Sequence, residues 1–175
     1  MTCYSRKKTL KEGLRNLVDE LVAVGVVSTI QVVGGAAIML QVDRKALTSD
    51  VDALHATTAD IQLAIERVAD SRDWPSTWLN DAVKMWVSHN DTPDDWEIRF
   101  TGNGVTILIA LPPLLQAMKL QAGQGRRDAM DIDLLLDACG IESLGEASAI
   151  FDKYYPNETM APRAIQQLRD RFEVV

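Results

Sequence analysis

The feature that most constrains this chain is a pair of glycines closing a β-branched run, Ser28-Thr29-Ile30-Gln31-Val32-Val33-Gly34-Gly35, followed after fourteen intervening residues by Asp50-Val51-Asp52. The run predicts a buried strand that ends in a tight turn. Ala36–Leu40 predicts a short helix behind the glycines. Ser49–Leu54 predicts a second strand, because its apolar residues alternate with polar ones. Alternate side chains of a strand share a face, so Asp50 and Asp52 are expected side by side, about 6–7 Å apart at their Cα atoms.

Two neighbouring carboxylates repel unless a cation lies between them. Hard divalent ions such as Mg²⁺ or Mn²⁺ take oxygen ligands of this kind. A pair of such ions can bind both the attacking and the leaving oxygen of a phosphoryl transfer. The glycine turn complements the acids. Glycine lets backbone approach a phosphate closely, and a helix beginning there presents free N–H groups to an anion. Asp50 and Asp52 are thus expected to hold metal, and Gly34 and Gly35 to cradle the phosphates of a nucleoside triphosphate.

The flanking sequence predicts helices and one hairpin. Leu10, Leu14, Leu17, Leu21 and Val22 recur at helical spacing, giving a helix from Leu10 to about Gly25. Thr57-Thr58-Ala59-Asp60 has the spacing of a helix-capping box ahead of Ile61, Ala64, Ile65 and Val68. Trp74-Pro75-Ser76 predicts the start of a further helix carrying Trp78, Leu79, Ala82 and Val83. Trp96–Phe100 and Val105–Leu111, joined by Thr101-Gly102-Asn103-Gly104, read as a hairpin. Beyond Pro112 the pattern is helical throughout. The expected helices open at Pro112-Pro113, run from Asp128 to Ala138, follow the cap Ser143-Leu144-Gly145-Glu146, and span Pro162–Phe172. Asp128 and Asp131 are three apart and so neighbours on a helix face.

Gly34-Gly35-Ala36-Ala37, Arg44, Thr48-Ser49-Asp50-Val51-Asp52, Ala117-Met118-Lys119-Leu120 and Arg126-Arg127-Asp128-Ala129-Met130-Asp131 together resemble the nucleotidyltransferase superfamily, in particular its AbiEii-type toxin and related branches. The resemblance covers roughly residues 32–54 and 114–136. It implies a mixed α/β (α+β) sheet with flanking helices; length and element pattern by themselves predict one domain over residues 1–175, with an α/β core to about 111 and a helical section from about 112. The resemblance implies catalytic roles for Asp50, Asp52, Lys119 and Asp131. It implies nucleotide contacts from Gly34, Gly35, Arg44, Thr48, Ser49, Lys119 and Asp128, with Lys119 touching phosphate or pairing with Asp128 or Asp131. The reaction implied moves a nucleoside monophosphate from an NTP to a hydroxyl of RNA, tRNA above all, or of protein. Several members of those branches are toxins, so an antitoxin protein is an implied partner. The family often adds a third carboxylate from a later strand. Val105–Leu111 has none, Glu97 is the nearest candidate, and Asp94 and Asp95 read as loop residues.

Other readings of the same residues stand beside these. Arg44 and Lys45 also suit an ordinary polar loop, Lys119 also suits an amphipathic helix surface, and Asp128 also suits a helix N-cap. A catalytically inactive nucleotide- or protein-binding module of the same fold is the main alternative to the enzyme. A regulatory partner with an acidic surface is a third. The net charge of −7 disfavours a general nucleic-acid binder while leaving room for a local basic patch. His55 and His89 are isolated, so neither a zinc site nor a catalytic triad is indicated. Trp74, Trp78, Trp86 and Trp96 suit core or groove lining better than base-stacking platforms, with at least two expected in the core. Cys3 and Cys139 lie far apart without ligand spacing, which points to a reducing compartment; Cys3 is expected at a frayed terminus and Cys139 at least half-buried. No apolar run is long enough to span a bilayer and no signal-peptide pattern opens the chain, so a cytoplasmic protein without a membrane partner is expected.

Overall fold

A computed structural model describes residues 7–43, 47–123 and 125–173, with side chains at all of these except 125–127. Among the described residues are seven α-helices and a five-stranded mixed sheet. The elements run α1 (Lys7–Ala23), β1 (Ser28–Val32), α2 (Gly34–Gln41), β2 (Val51–Leu54), α3 (Ala59–Arg72), β3 (Leu79–Asn80), β4 (Trp96–Gly102), β5 (Val105–Ala110), α4 (Pro112–Ala122), α5 (Gly125–Cys139), α6 (Leu144–Tyr154) and α7 (Pro162–Phe172). Two short 3₁₀ turns, Ala82–Met85 and Pro93–Asp95, fill the stretch between β3 and β4. None of the described helices is long and apolar enough to cross a membrane.

The sheet order is β3-β2-β1-β5-β4. β1 lies antiparallel to β2 and parallel to β5, β2 lies parallel to β3, and β4 lies antiparallel to β5. The β4–β5 hairpin turns at Asn103 and Gly104, both at positive φ (36° and 89°), which suits the right-handed strand twist. One face of the sheet carries Ile30, Val32, Val51, Ala53, Val105, Ile107 and Ile109, each at most 1% exposed. α1 packs against β4 and β5, and α2 against β2 and β5. The C-terminal helices contribute Leu114, Leu115, Ile132, Leu135, Phe151 and Leu168 to the same continuous core.

Several boundaries move from their sequence expectation. α2 begins at Gly34 itself rather than after the glycines. β2 begins at Val51, which leaves Asp50 in the bend before the strand. α5 begins at Gly125, so Asp128 lies in the first turn and is not its N-cap. The helix expected after Trp74 does not form. Trp78 is fully buried there and donates its indole N–H to the Ile65 carbonyl at 3.0 Å. Its own carbonyl accepts from Val51 N–H at 2.7 Å, which draws Leu79 and Asn80 into the sheet beside β2. Tertiary partners thus override the local helical spacing. The cap of α3 is Thr58, one residue past the Thr57–Asp60 spacing, whereas Ser143 caps α6 as expected; each accepts a backbone N–H three residues on. Trp74, Trp78 and Trp96 are buried, and Cys139 is partly buried. Cys3 lies outside the described residues.

The stretch 86–95 is tied down by α6. Ser88 Oγ donates to the Tyr154 carbonyl at 2.7 Å, and Tyr155 Oη donates to the Trp86 carbonyl at 2.6 Å. Asp95, 7% exposed, accepts from Tyr154 Oη at 2.6 Å, Lys153 Nζ at 2.8 Å and Thr92. Burial alone raises the Asp95 carboxyl pKa, but the hydrogen bonds from Lys153, Tyr154 and Thr92 outweigh it and hold the group at about 2. A carboxyl depressed on folding stabilises the protein above its unfolded pKa, and that stability disappears as pH falls through the folded value. Asp95→Asn is therefore expected to lower stability at neutral pH by on the order of 1–2 kcal/mol, a figure discounted because Lys153 is half exposed. Denaturant titrations should show the gap between variant and wild type closing between about pH 4 and pH 2. A gap independent of pH would rule out this ionic contribution.

Candidate functional site

The site gathers at the end of the sheet where β1 finishes and β2 begins. Val33 N–H donates to the Asp52 carbonyl at 2.9 Å, so the turn into α2 is stitched to β2. Gly34 then takes φ +62°, a left-handed conformation that costs an L side chain energy. A Cβ on Gly34 would stand 2.5 Å from Asp52 Oδ2. Only a glycine lets the first turn of α2 sit this close to the Asp52 carboxylate.

Asp50 and Asp52 act on each other across the start of β2. The Asp52 pKa is raised, first by burial and then by the charge of Asp50, against an opposing pull from Lys119. Asn80 lies beside Asp52 in the β2–β3 register, and its amide donates to Asp50 Oδ2 at 3.4 Å. Thr48 Oγ1 donates to the Asp50 carbonyl at 2.9 Å, and Ser49 Oγ donates to Asp50 Oδ1 at 3.2 Å. Thr48 and Ser49 therefore brace Asp50 and are not among the described cleft-lining residues.

Lys119 comes from the last turns of α4, which starts on Pro112-Pro113 and stops at Gly123 in a left-handed conformation. Its ammonium is held between Asp128 Oδ1 at 2.5 Å and Asp131 Oδ2 at 3.1 Å on α5. The pairing expected with one carboxylate is made with both. Asp131 is 2% exposed and lies behind the lysine, outside the cleft lining, whereas Asp128 reaches the cleft. Arg44 lies outside the described residues.

Gly34, Asp52, Lys119 and Asp128 border a cleft of about 290 Å³. Its remaining described lining is apolar: Ala82, Val83 and Trp86 from the 3₁₀ stretch, and Leu115, Met118 and Ala122 from α4. The cleft is thus anionic and cationic at one border and greasy on both walls. The sequence offered Trp86 as core or groove lining without placing it, and it did not single out Asn80, whose place depends on the unexpected β3.

The residues present fit a hard divalent cation. The Asp50 charge that raises the Asp52 pKa is what a cation relieves, and the glycine brings the head of α2 against the Asp52 carboxylate. Among the described residues no cluster of three acidic, histidine or cysteine groups forms a complete cage. The ion would therefore complete its shell with water and phosphate, the usual habit of Mg²⁺. Glu97 does not join the pair. It aligns with Ile109, which aligns with Val32 and through it with Ala53, so it shares the sheet face opposite Asp52. It is taken up by Gln41 at 3.0 Å and Arg99 at 2.6 Å. A scan against protein-family models finds no match to this chain, and a search of curated proteins finds none.

Proposed function

We propose that this protein is a metal-dependent nucleotidyltransferase that moves a nucleoside monophosphate from an NTP to a hydroxyl of RNA or protein. The observation that carries this reading is the contact of Gly34, at the head of α2, with the Asp52 carboxylate, which also interacts with Asp50. Asp50 and Asp52 would hold Mg²⁺ or Mn²⁺, which when bound neutralises charge on the phosphates. The first turn of α2 starts at Gly34, beside Asp52, and its N–H groups would favour phosphate oxygen. Lys119 supplies positive charge at the cleft border, and Asp128 and Asp131 fix where that charge sits. An O–P bond forms between the acceptor hydroxyl and the α-phosphorus, and the bond to pyrophosphate breaks. Most of the rate enhancement comes from positioning and charge.

One observation favours a second reading, a nucleotide-binding module without transfer. The side chain in register beside Asp52 is the Asn80 amide, and the nearest acid sought on β4, Glu97, faces away. Labelled NTPs incubated with tRNA or with protein acceptors separate the two. Wild type is expected to label an acceptor in Mg²⁺ or Mn²⁺, and Asp50→Asn is expected to lower the rate by roughly 10²–10³-fold. Metal-dependent nucleotide binding with no labelling of either acceptor class would select the binding module. No metal-dependent nucleotide binding at all would sink both.

A further inference from the structure

We infer that Trp86 is the platform on which the base of the bound nucleotide stacks, and that the base is read by stacking area and not by its hydrogen-bonding edge. This deepens the nucleotide reading of the cleft and rests on it.

Three of the four tryptophans are buried; Trp86 is 43% exposed and lines the cleft. Its exposed indole offers the cleft a large flat apolar surface with one polar N–H. The wall that bears it is held from behind. Tyr155 Oη donates to the Trp86 carbonyl, and Tyr155 itself is stacked on Phe151 with ring centroids 5.3 Å apart. That bond goes to backbone, so the position of the wall does not depend on the indole. Across α4, Leu115, Met118 and Ala122 recur at i, i+3 and i+7 on one face toward the cleft. Methionine is soft and polarisable and suits the second side of a ring-shaped ligand.

Chain order fixes which part of a nucleotide goes where. The 3₁₀ wall begins two residues after Asn80, which stands beside Asp52. On the other wall Met118 immediately precedes Lys119. The polar border takes the phosphates, and the apolar walls are left for the base. Among the described residues, the side chains of these walls are all apolar except for the single indole N–H. Strong discrimination between bases needs buried groups that would be left unpaired by the wrong edge. Stacking on an aromatic face is tolerant, because every base has a π-face, and it grows with ring area.

The test is calorimetric titration in Mg²⁺ with the four NTPs and with inorganic tripolyphosphate, on wild type, Trp86→Ala and Trp86→Phe. ATP and GTP are expected to bind wild type within about threefold of each other and several-fold tighter than CTP and UTP. Trp86→Ala is expected to weaken NTP binding roughly tenfold or more, with Trp86→Phe keeping most of the affinity and tripolyphosphate unmoved by either. Nucleotide-dependent change in tryptophan emission should vanish in Trp86→Phe, since Trp74, Trp78 and Trp96 are buried. If NTPs bind no tighter than tripolyphosphate, or Trp86→Ala binds them as wild type does, the platform is overturned while the phosphate–metal site stands. If ATP and GTP differ by 30-fold or more, stacking-only readout is overturned. If neither NTP nor tripolyphosphate binds, the nucleotide reading and the platform fall together.

Discussion

Replacing Lys119 with methionine is expected to destabilise the protein by about 3–5 kcal/mol, the range for removing one partner of a buried charge cluster. The lysine side chain is 16% exposed, and those of Asp128 and Asp131 are 13% and 2% exposed. Without the ammonium, two carboxylates three residues apart on α5 face each other across the space the lysine filled. Methionine restores much of the volume, so the loss measured reports charge rather than packing. Urea unfolding should show a lower midpoint at unchanged slope. Adding Asp131→Asn to Lys119→Met removes one carboxylate charge and should recover part of the loss. A cost below about 1 kcal/mol, the value for a solvated surface pair, would show that the cluster is not held by this ion triad.

Gly34→Ala is expected to cost about 2–5 kcal/mol and, on the proposed function, to abolish metal-dependent nucleotide binding. Two penalties add. The left-handed φ of +62° costs an alanine about 1–2 kcal/mol. The new methyl would also stand 2.5 Å from Asp52 Oδ2, so either α2 or the carboxylate must shift, a strain of about 1–3 kcal/mol. The two parts are separable. In an Asp52→Ala background the 2.5 Å contact is gone and the 3.3 Å approach to the Cβ of residue 52 remains with the backbone part, so a double-mutant cycle should give a coupling of about 1 kcal/mol or more. Additive effects would mean that Gly34 serves the turn alone and not the approach to Asp52.

Legibility in the sequence followed the range of the interactions. The hairpin was readable because Asn103-Gly104 dictates a local turn. α7 was readable to the residue because Pro162 opens it and its amphipathic spacing runs to Phe172. The β1–α2 turn and β2 were readable because glycine and alternating burial are local signals. β3 was not. It is two residues long and has no period of its own, and Leu79 is a strand residue only because Val51 pairs with it. With β3 hidden, the places of Asn80 and Trp86 were hidden too. The Lys119–Asp128–Asp131 triad was half readable. The three-residue spacing put both acids on one face, but only the packing of α4 against α5 sets the lysine between them.

The tether from Tyr155 to Trp86 joins residues 69 apart in sequence. It gives the cleft a history as well as a shape. On the ribosome, the strands and α4 emerge before α6, so the sheet can pair and Gly34 can meet Asp52 while the Trp86 wall still lacks its anchor. The cleft is completed only when α6 folds back onto a stretch synthesised much earlier. A nascent chain can thus carry both aspartates in place before it carries a finished cleft.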